Sequence, residues 1–301
     1  MRLSSFAPPM SLSSALEKLA TFRANNTRAS QETFQAASVI LKSAQKLGDD
    51  GWAVLEQLFL ASVDIGRLDV ADQCLKQLAE RFPDSPRVDV LTGIRMESSE
   101  PPDVVLQYYA QILDADSANA AIWKRRISVL RRTGKIEKAV EELSQLLDTF
   151  YTDVDGWLEL ADIYTSCNQY ILALQALSHA LLLAPQNPFY VLQFAETAYT
   201  AGDLPLALKT FLVAVDMCER DLDSPEEKPA VGISVRAWLG VKLCSRRLMS
   251  NSSPSASNTA IPKSLNLIEE LATERVLSAY SKGAGKVPQG KDVVVGWIGA
   301  R

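Results

Sequence analysis

Apolar residues along this chain recur with two periods at once. Over short distances they fall three and four apart, as in Ala71, Leu75 and Leu78 or in Trp157, Leu160, Ala161 and Tyr164. That spacing lines them along one face of a helix. Over longer distances the same kinds of position return with a fixed step of 34 in the numbering. Ala71 is followed by Val105, Ala139, Ala173 and Ala207, and Leu75 by Tyr109, Leu143, Leu177 and Phe211. Leu78 is followed by Ile112, Leu146, Ala180 and Ala214, and Trp123 by Trp157. A further series, Gly66, Glu100, Gly134, Asn168 and Gly202, runs a few residues ahead of these faces. Gly and Asn tolerate left-handed backbone angles, so this series marks a turn. Where Glu100 interrupts it, the surrounding SSEPP (98–102) supplies the break. Each unit is predicted to be helix–turn–helix, and the small residue in its second helix lets the partner helix approach closely.

A 34-residue period of this pattern resembles the tetratricopeptide repeat. The unit from Gly156 to Pro185 carries the fullest signature: Trp157, Leu160, Ala161, Tyr164, Ala173, Leu177, Ala180 and Pro185. The unit before it keeps Trp123, Ala139 and Leu143, with Arg126 where leucine is expected. The unit after it keeps Phe194, Ala195, Ala207, Phe211 and Ala214, and Asn187-Pro188 is a helix start. Units near Trp52 and Pro86 are more degenerate, with Gly93 kept at a close-packing position. The resemblance implies an all-α fold, a right-handed α-solenoid with N- and C-terminal capping helices. The expected organisation is N-terminal helices over 1–48, repeats over 49–220, a linker with capping helices over 221–282, and a flexible tail over 283–301. Within these flanks, helices are expected over 11–24, 31–47, 233–249 and 263–282, with a low-complexity loop at 251–262. In the last of them Leu267, Leu271 and Leu277 form the stripe expected to dock, and Trp297 is a small anchor in the tail.

Composition narrows the chemistry. Apolar residues make up 47% of the chain and charged residues 22%, enough for a sizeable core inside an ordinary soluble surface. A net charge of -5 argues against a general nucleic-acid binder. No secretory leader is expected from the N-terminal stretch, and no apolar run approaches the ~20 residues a membrane-spanning helix requires. Cys74, Cys167, Cys218 and Cys244 are widely spaced, and His179 is the only histidine. Neither a zinc site nor a disulfide framework is built from that set. No phosphate-binding glycine loop, nucleophile elbow or metalloprotease motif occurs. The expectation is a chain that is not an enzyme, with no catalytic residue, no metal, no cofactor and no small-molecule substrate; His179 and Cys167 are passengers of the repeat.

In the repeat family that this chain resembles, the first helix of each unit lines a concave groove. The corresponding positions are Ala121, Lys124, Ser128 and Arg131, then Asp155, Leu158, Asp162 and Thr165, then Phe189, Leu192, Glu196 and Tyr199. The groove is expected to pass from basic through acidic to apolar and to suit a peptide. Phe189, Leu192 and Tyr199 either meet a bound segment or pack on an adjacent helix. Lys124, Arg125, Arg126, Arg131, Arg132 and Lys135 form a basic stretch. It is either a solvated face or a surface attracted to anionic lipid headgroups or an acidic partner.

Longer strings narrow the resemblance. RVDVLTGIRMES (87–98), QYYAQILDAD (107–116), KRRISVLRRTGKIEKAVEELSQLLDTFYTDVDGWLELADIY (124–164), NPFYVLQFAETAYTAGD (187–203) and LALKTFLVAVDM (206–217) resemble subunit 2 of the ER membrane protein complex. The likeness implies a peripheral subunit on the cytosolic face of the endoplasmic reticulum. It implies a role in inserting tail-anchored and multipass proteins, through the third, fifth and eighth/ninth-type subunits. The alternative is a co-chaperone adaptor that clamps a C-terminal carboxylate. Lys124 suits such a clamp, but Ser128, Glu159 and Asp162 do not.

Overall fold

The structure, a computed structural model, describes residues 11–42, 50–220, 229–250, 256–281 and 290–299. The expected helix end at 43–47, most of the 221–232 linker, the start of the low-complexity loop (251–255) and the tail over 283–289 lie outside the described residues. Among the described residues there are fifteen α-helices and no strand. In chain order they are α1 (Leu12–Ala24), α2 (Ser30–Lys42), α3 (Asp50–Asp64), α4 (Leu68–Arg81), α5 (Pro86–Glu97), α6 (Pro102–Ala115), α7 (Ala120–Arg132) and α8 (Ile136–Thr149). They continue as α9 (Val154–Ser166), α10 (Tyr170–Leu183), α11 (Pro188–Ala201), α12 (Leu204–Glu219), α13 (Ile233–Ser250), α14 (Leu265–Ser281) and α15 (Lys291–Gly299).

The sequence period becomes helix spacing. The helices α4, α6, α8, α10 and α12 begin at Leu68, Pro102, Ile136, Tyr170 and Leu204, so each start is one full period after the last. The helices α5, α7, α9 and α11 begin at Pro86, Ala120, Val154 and Pro188 with the same step. The turn column has the backbone that its residues allow, with φ of +77° at Gly66, +76° at Gly134, +59° at Asn168 and +88° at Gly202. Ala71, Val105, Ala139, Ala173 and Ala207 are all fully buried, as a close helix–helix approach demands. Asn119, Asn187 and Asp203 cap α7, α11 and α12 with their side-chain oxygens.

The chain divides into two compact units, Met1–Glu142 and Leu143–Arg301. In the first, α1 packs on α2, α2 on α3 and α3 on α4, around Leu19, Ala37, Ile40, Leu58 and Phe59. A second core there joins Val90, Val105, Tyr109, Ile122 and Val129. Tyr109 stands where three other repeats have leucine, and Gly93 makes room for it: a Cβ at Gly93 would lie only 2.3 Å from the tyrosine Cε1. In the second unit the core includes Ala195, Leu208, Phe211, Trp238, Val241, Ala272 and Val276.

The period fails after Arg220, yet the packing continues. One further step from the starts of α11 and α12 would fall at Leu222 and Trp238, whereas α13 begins at Ile233 and α14 at Leu265. Extra chain in the two connections therefore hides a further helix pair from the periodicity. Helix α13 packs on α11 and α12, and α14 packs on α13. Gly240 lets α13 approach so closely that a Cβ there would overlap the Phe211 ring.

Two expectations about this end differ from the structure. Leu267 and Leu271 do not dock, being 67% and 47% exposed; Ala272 and Val276 face the core instead. The reason is polar as much as apolar. That face also brings Arg275 to Glu219 at 3.1 Å and Glu269 to the buried Lys242, and a buried charge is tolerated only when paired. The tail expected to be unstructured contains α15, whose Trp297 lies against the Arg246 guanidinium. The end of the low-complexity stretch is tied down, with the Ser257 amide donating to Asp203 Oδ2 at 2.8 Å.

Candidate partner-binding site

Lys124, Ser128 and Arg131 lie in the first unit, on α7, with Arg125, Arg126 and Arg132 of the basic stretch, and Lys135 follows between α7 and α8. Ile122, Ile127, Val129 and Leu130 form the buried face of that helix. Most of the cations are left on the other side, whereas Arg126 keeps its place beside the buried face, and each is engaged. Arg125 donates through Nε and Nη2 to Glu97 Oε1 at 2.9 and 2.7 Å. Arg132 reaches Glu97 Oε2 at 3.5 Å. Arg126 pairs with Glu142 at 2.6 Å and Lys135 with Asp103 at 2.8 Å. Lys124 and Arg131 are half-buried and also have partners. The stretch is therefore not an open field of like charge but a set of ion pairs, while Ser128 is exposed.

Glu97 organises that set. Its side chain is only 7% exposed and also accepts the Tyr109 hydroxyl at 2.6 Å. Burial and the neighbouring carboxylate hold the Tyr109 hydroxyl protonated far above its usual range. Glu97 was not among the residues expected from sequence. The signal was present, because Glu97 lies one repeat before Arg131, in the column that continues to Thr165 and Tyr199. Extending the groove columns backwards also reaches Ile94 and Leu60 from Ser128 and Val63 from Glu97, and the same step back from Arg132 of the basic stretch reaches Ser98 and Asp64. All of these line an open cavity of about 520 Å³ in the first unit. At its other edge Arg28 donates to Asp64 through Nε at 3.0 Å and Nη2 at 2.5 Å, and Ser30 adds a 2.6 Å bond. The Arg28 guanidinium holds the Asp64 carboxyl below the usual carboxylate range.

Leu158, Asp162, Thr165, Phe189, Leu192, Glu196 and Tyr199 lie in the second unit. Leu158 is half-buried, and Asp162 is exposed with a partner of its own. Thr165 turns its hydroxyl back to the Ala161 carbonyl at 2.7 Å. The expected apolar end is largely closed. Leu192 is 4% exposed and belongs to the core, so it is withdrawn as a partner-binding residue. Arg236 of α13 binds Glu196 through Nε at 2.5 Å and Nη2 at 2.8 Å. Arg247 lies over the Tyr199 ring at 5.0 Å. Periodicity could not foresee this, because α13 lies beyond the point where the period stops. Phe189 alone of the three remains open, at 62% exposure.

His179 has a structural task. Its ring stacks on Trp157 at 4.2 Å and 14°, while the Trp157 indole donates to the Tyr151 carbonyl at 2.9 Å. Cys167 caps α9 and is exposed. Among the described residues no group of three or more His, Cys, Asp and Glu is placed to hold a metal, and no helix is long and apolar enough to cross a membrane.

Comparison with known proteins agrees with the repeat architecture and narrows it. Residues 94–209 match the family model described as EMC2 TPR-like repeat domain. ER membrane protein complex subunit 2-B of Xenopus laevis is 36% identical over 244 residues, covering 80% of this chain and 78% of that protein. The chain belongs to the ER membrane protein complex subunit 2 family. A fission-yeast relative, TPR repeat protein oca3 of Schizosaccharomyces pombe, is 28% identical over 230 residues, 75% of each chain. The C-terminal part of a TPR repeat-containing protein from Cytophaga hutchinsonii superposes with a TM-score of 0.55 at 13% identity, over 89% of this chain and 96% of that one. That likeness establishes the fold, a tetratricopeptide helical solenoid.

Proposed function

We propose that this chain is a non-catalytic scaffold subunit of an ER membrane protein complex, peripheral to the membrane and on its cytosolic face. In this role it supports insertion of tail-anchored and multipass membrane proteins by binding the cytosolic parts of the third and fifth subunits. It also binds an eighth/ninth-type cytosolic subunit where one exists. The observation that carries the reading is 36% identity to the Xenopus subunit over four-fifths of the chain. The repeat surfaces support it, since solenoids of this kind act by presenting extended faces to partners. The helices of the described residues, none of them long and apolar enough to cross a bilayer, suit a peripheral position.

The test is affinity purification of the tagged chain from detergent-solubilised membranes. Recovery of the other complex subunits in fixed ratio is the expected result. Recovery of Hsp70 or Hsp90 alone would overturn the reading in favour of a chaperone adaptor. Phe189→Asp should lower recovery without changing helicity, because Phe189 is exposed and outside the core; Tyr199 is a poorer probe, lying under Arg247.

A further inference from the structure

We propose that the cavity of the first unit is a receptor for an acidic peptide segment of a partner protein. In this arrangement Arg28 and Arg132 take the segment's carboxylates, and an aliphatic side chain between them fills the floor. The inference rests on reading the chain as a partner-binding repeat protein, and not on which complex it joins.

Three observations carry it. First, the cavity is lined by the groove columns themselves, so it lies on the side to which the first helix of each unit contributes. Its floor is apolar, formed by Leu60, Val63 and Ile94, within an open volume of about 520 Å³. Second, the ionic groups are layered by sign. The Arg28 side chain is 82% exposed against 25% for Asp64. Arg132 and Arg125 are 58% and 35% exposed against 7% for Glu97. The carboxylates lie behind and the guanidiniums in front, giving three cations to two anions at the rim of a chain whose net charge is -5.

Third, the guanidiniums retain donors. Arg28 and Arg125 each use Nε and Nη2 on their internal carboxylate. Arg132 comes nearest to Glu97 through Nη2, at 3.5 Å. In all three the Nη1 group has no partner among the described residues. The recessed carboxylates, with the Glu97 side chain buried and Asp64 partly covered, thus act as fixed posts that orient each planar fork, and the other edge of the fork is available. Arg is the residue suited to such shared, planar recognition of carboxylates. Pre-orientation also removes part of the ordering cost of binding.

The occupant is a peptide and not a bilayer because of shape. A flat layer of headgroups can meet the exposed Arg28 but not a recessed floor of Leu60, Val63 and Ile94. An extended segment, rising about 3.3 Å per residue with side chains on alternate faces, can place a carboxylate on each edge and an aliphatic group between them.

The experiment selects a phage-displayed random dodecapeptide library on the full chain, with counter-selection on the Arg28→Gln/Arg132→Gln double variant. The enriched peptides are then synthesised and measured by fluorescence anisotropy. Enrichment of sequences with two or more Asp or Glu flanking an aliphatic residue is expected. Their Kd should rise at least tenfold for the double variant and at least fivefold between 50 and 300 mM NaCl, while the variant keeps the wild-type far-UV circular dichroism and loses only the small stability of exposed ion pairs. Replacing the peptide's acids by Asn and Gln should abolish binding. Enrichment of peptides without acids, no enrichment at all, or equal affinity of the double variant would each overturn the proposal. So would sedimentation with vesicles of phosphatidylcholine and phosphatidylserine, mixed 7:3, that depends on Arg28 and Arg132 while acidic peptides fail to bind. Wild-type co-purification with the membrane complex is scored separately, so this inference can fail while the proposed function stands.

Discussion

Replacing Gly93 by alanine probes the packing that supports the first unit's cavity. A Cβ at this position falls among Cε1, Cζ and the hydroxyl oxygen of Tyr109. The ring cannot step aside without loss, because it is fully buried and its hydroxyl donates to Glu97 at 2.6 Å. Overpacking of a filled core costs about 1–3 kcal/mol. Losing a hydrogen bond to a charged group adds about 1.5–3 kcal/mol. The better helix propensity of alanine offsets about 1 kcal/mol. The net expectation is a destabilisation of roughly 1.5–5 kcal/mol, a large share of the ~5–15 kcal/mol typical of a folded protein. In a Tyr109→Leu background the ring and its bond are absent, leaving only the propensity gain. Gly93→Ala should there be neutral or stabilising by up to about 1 kcal/mol. Urea unfolding of the four proteins of this cycle, followed by circular dichroism, measures the coupling. An equal cost of Gly93→Ala in both backgrounds, or a cost below about 0.5 kcal/mol in the wild type, would refute the reasoning.

Four shorter predictions follow from other contacts. Burial pushes the Cys74 thiol up to about 11 and the Cys244 thiol up to about 12, and only thiolates react readily. A disulfide reagent at pH 8 should therefore label the exposed Cys167 first and reach Cys74 and Cys244 only on unfolding; rapid labelling of either in the native state would contradict their packing. Asp64 has a depressed folded pKa because of Arg28, so its stabilisation is present above the unfolded value of about 3.9 and lost as pH falls through the folded one. The urea midpoints of wild type and Asp64→Asn should accordingly differ at pH 6 and converge as pH falls through the lowered folded value. Glu269→Gln strands the Lys242 charge, whose side chain is 3% exposed, and should cost about 3–5 kcal/mol, whereas Lys242→Met with Glu269→Met should cost less; the reverse order in thermal melts would refute the pairing. Leu192→Ala should cost about 2–5 kcal/mol and Phe189→Asp less than about 0.5 kcal/mol, as measured by urea unfolding, because only the first side chain is in the core.

Periodicity alone determined most of the architecture. A buried alanine column and a Gly/Asn turn column are local demands, set by helix–helix distance and by backbone sterics, so every repeat states them again in its own residues. Ala139 and Ala173, or Gly134 and Gly202, were therefore legible without knowing their neighbours. Candidate groove positions were legible in the same way, as columns outside the core. What those columns meet was not. Glu97 is an ordinary helical glutamate until α6 and α7 bring Tyr109, Arg125 and Arg132 to its carboxylate. Leu192 resembles a groove residue until α13, displaced from the period by extra chain, packs on α11. Which face of α14 docks was settled by Lys242 and Arg275 finding Glu269 and Glu219, not by the leucine stripe. Repeated short-range constraints leave a trace at fixed spacing along the chain; a contact made once, between residues brought together only by packing, leaves none.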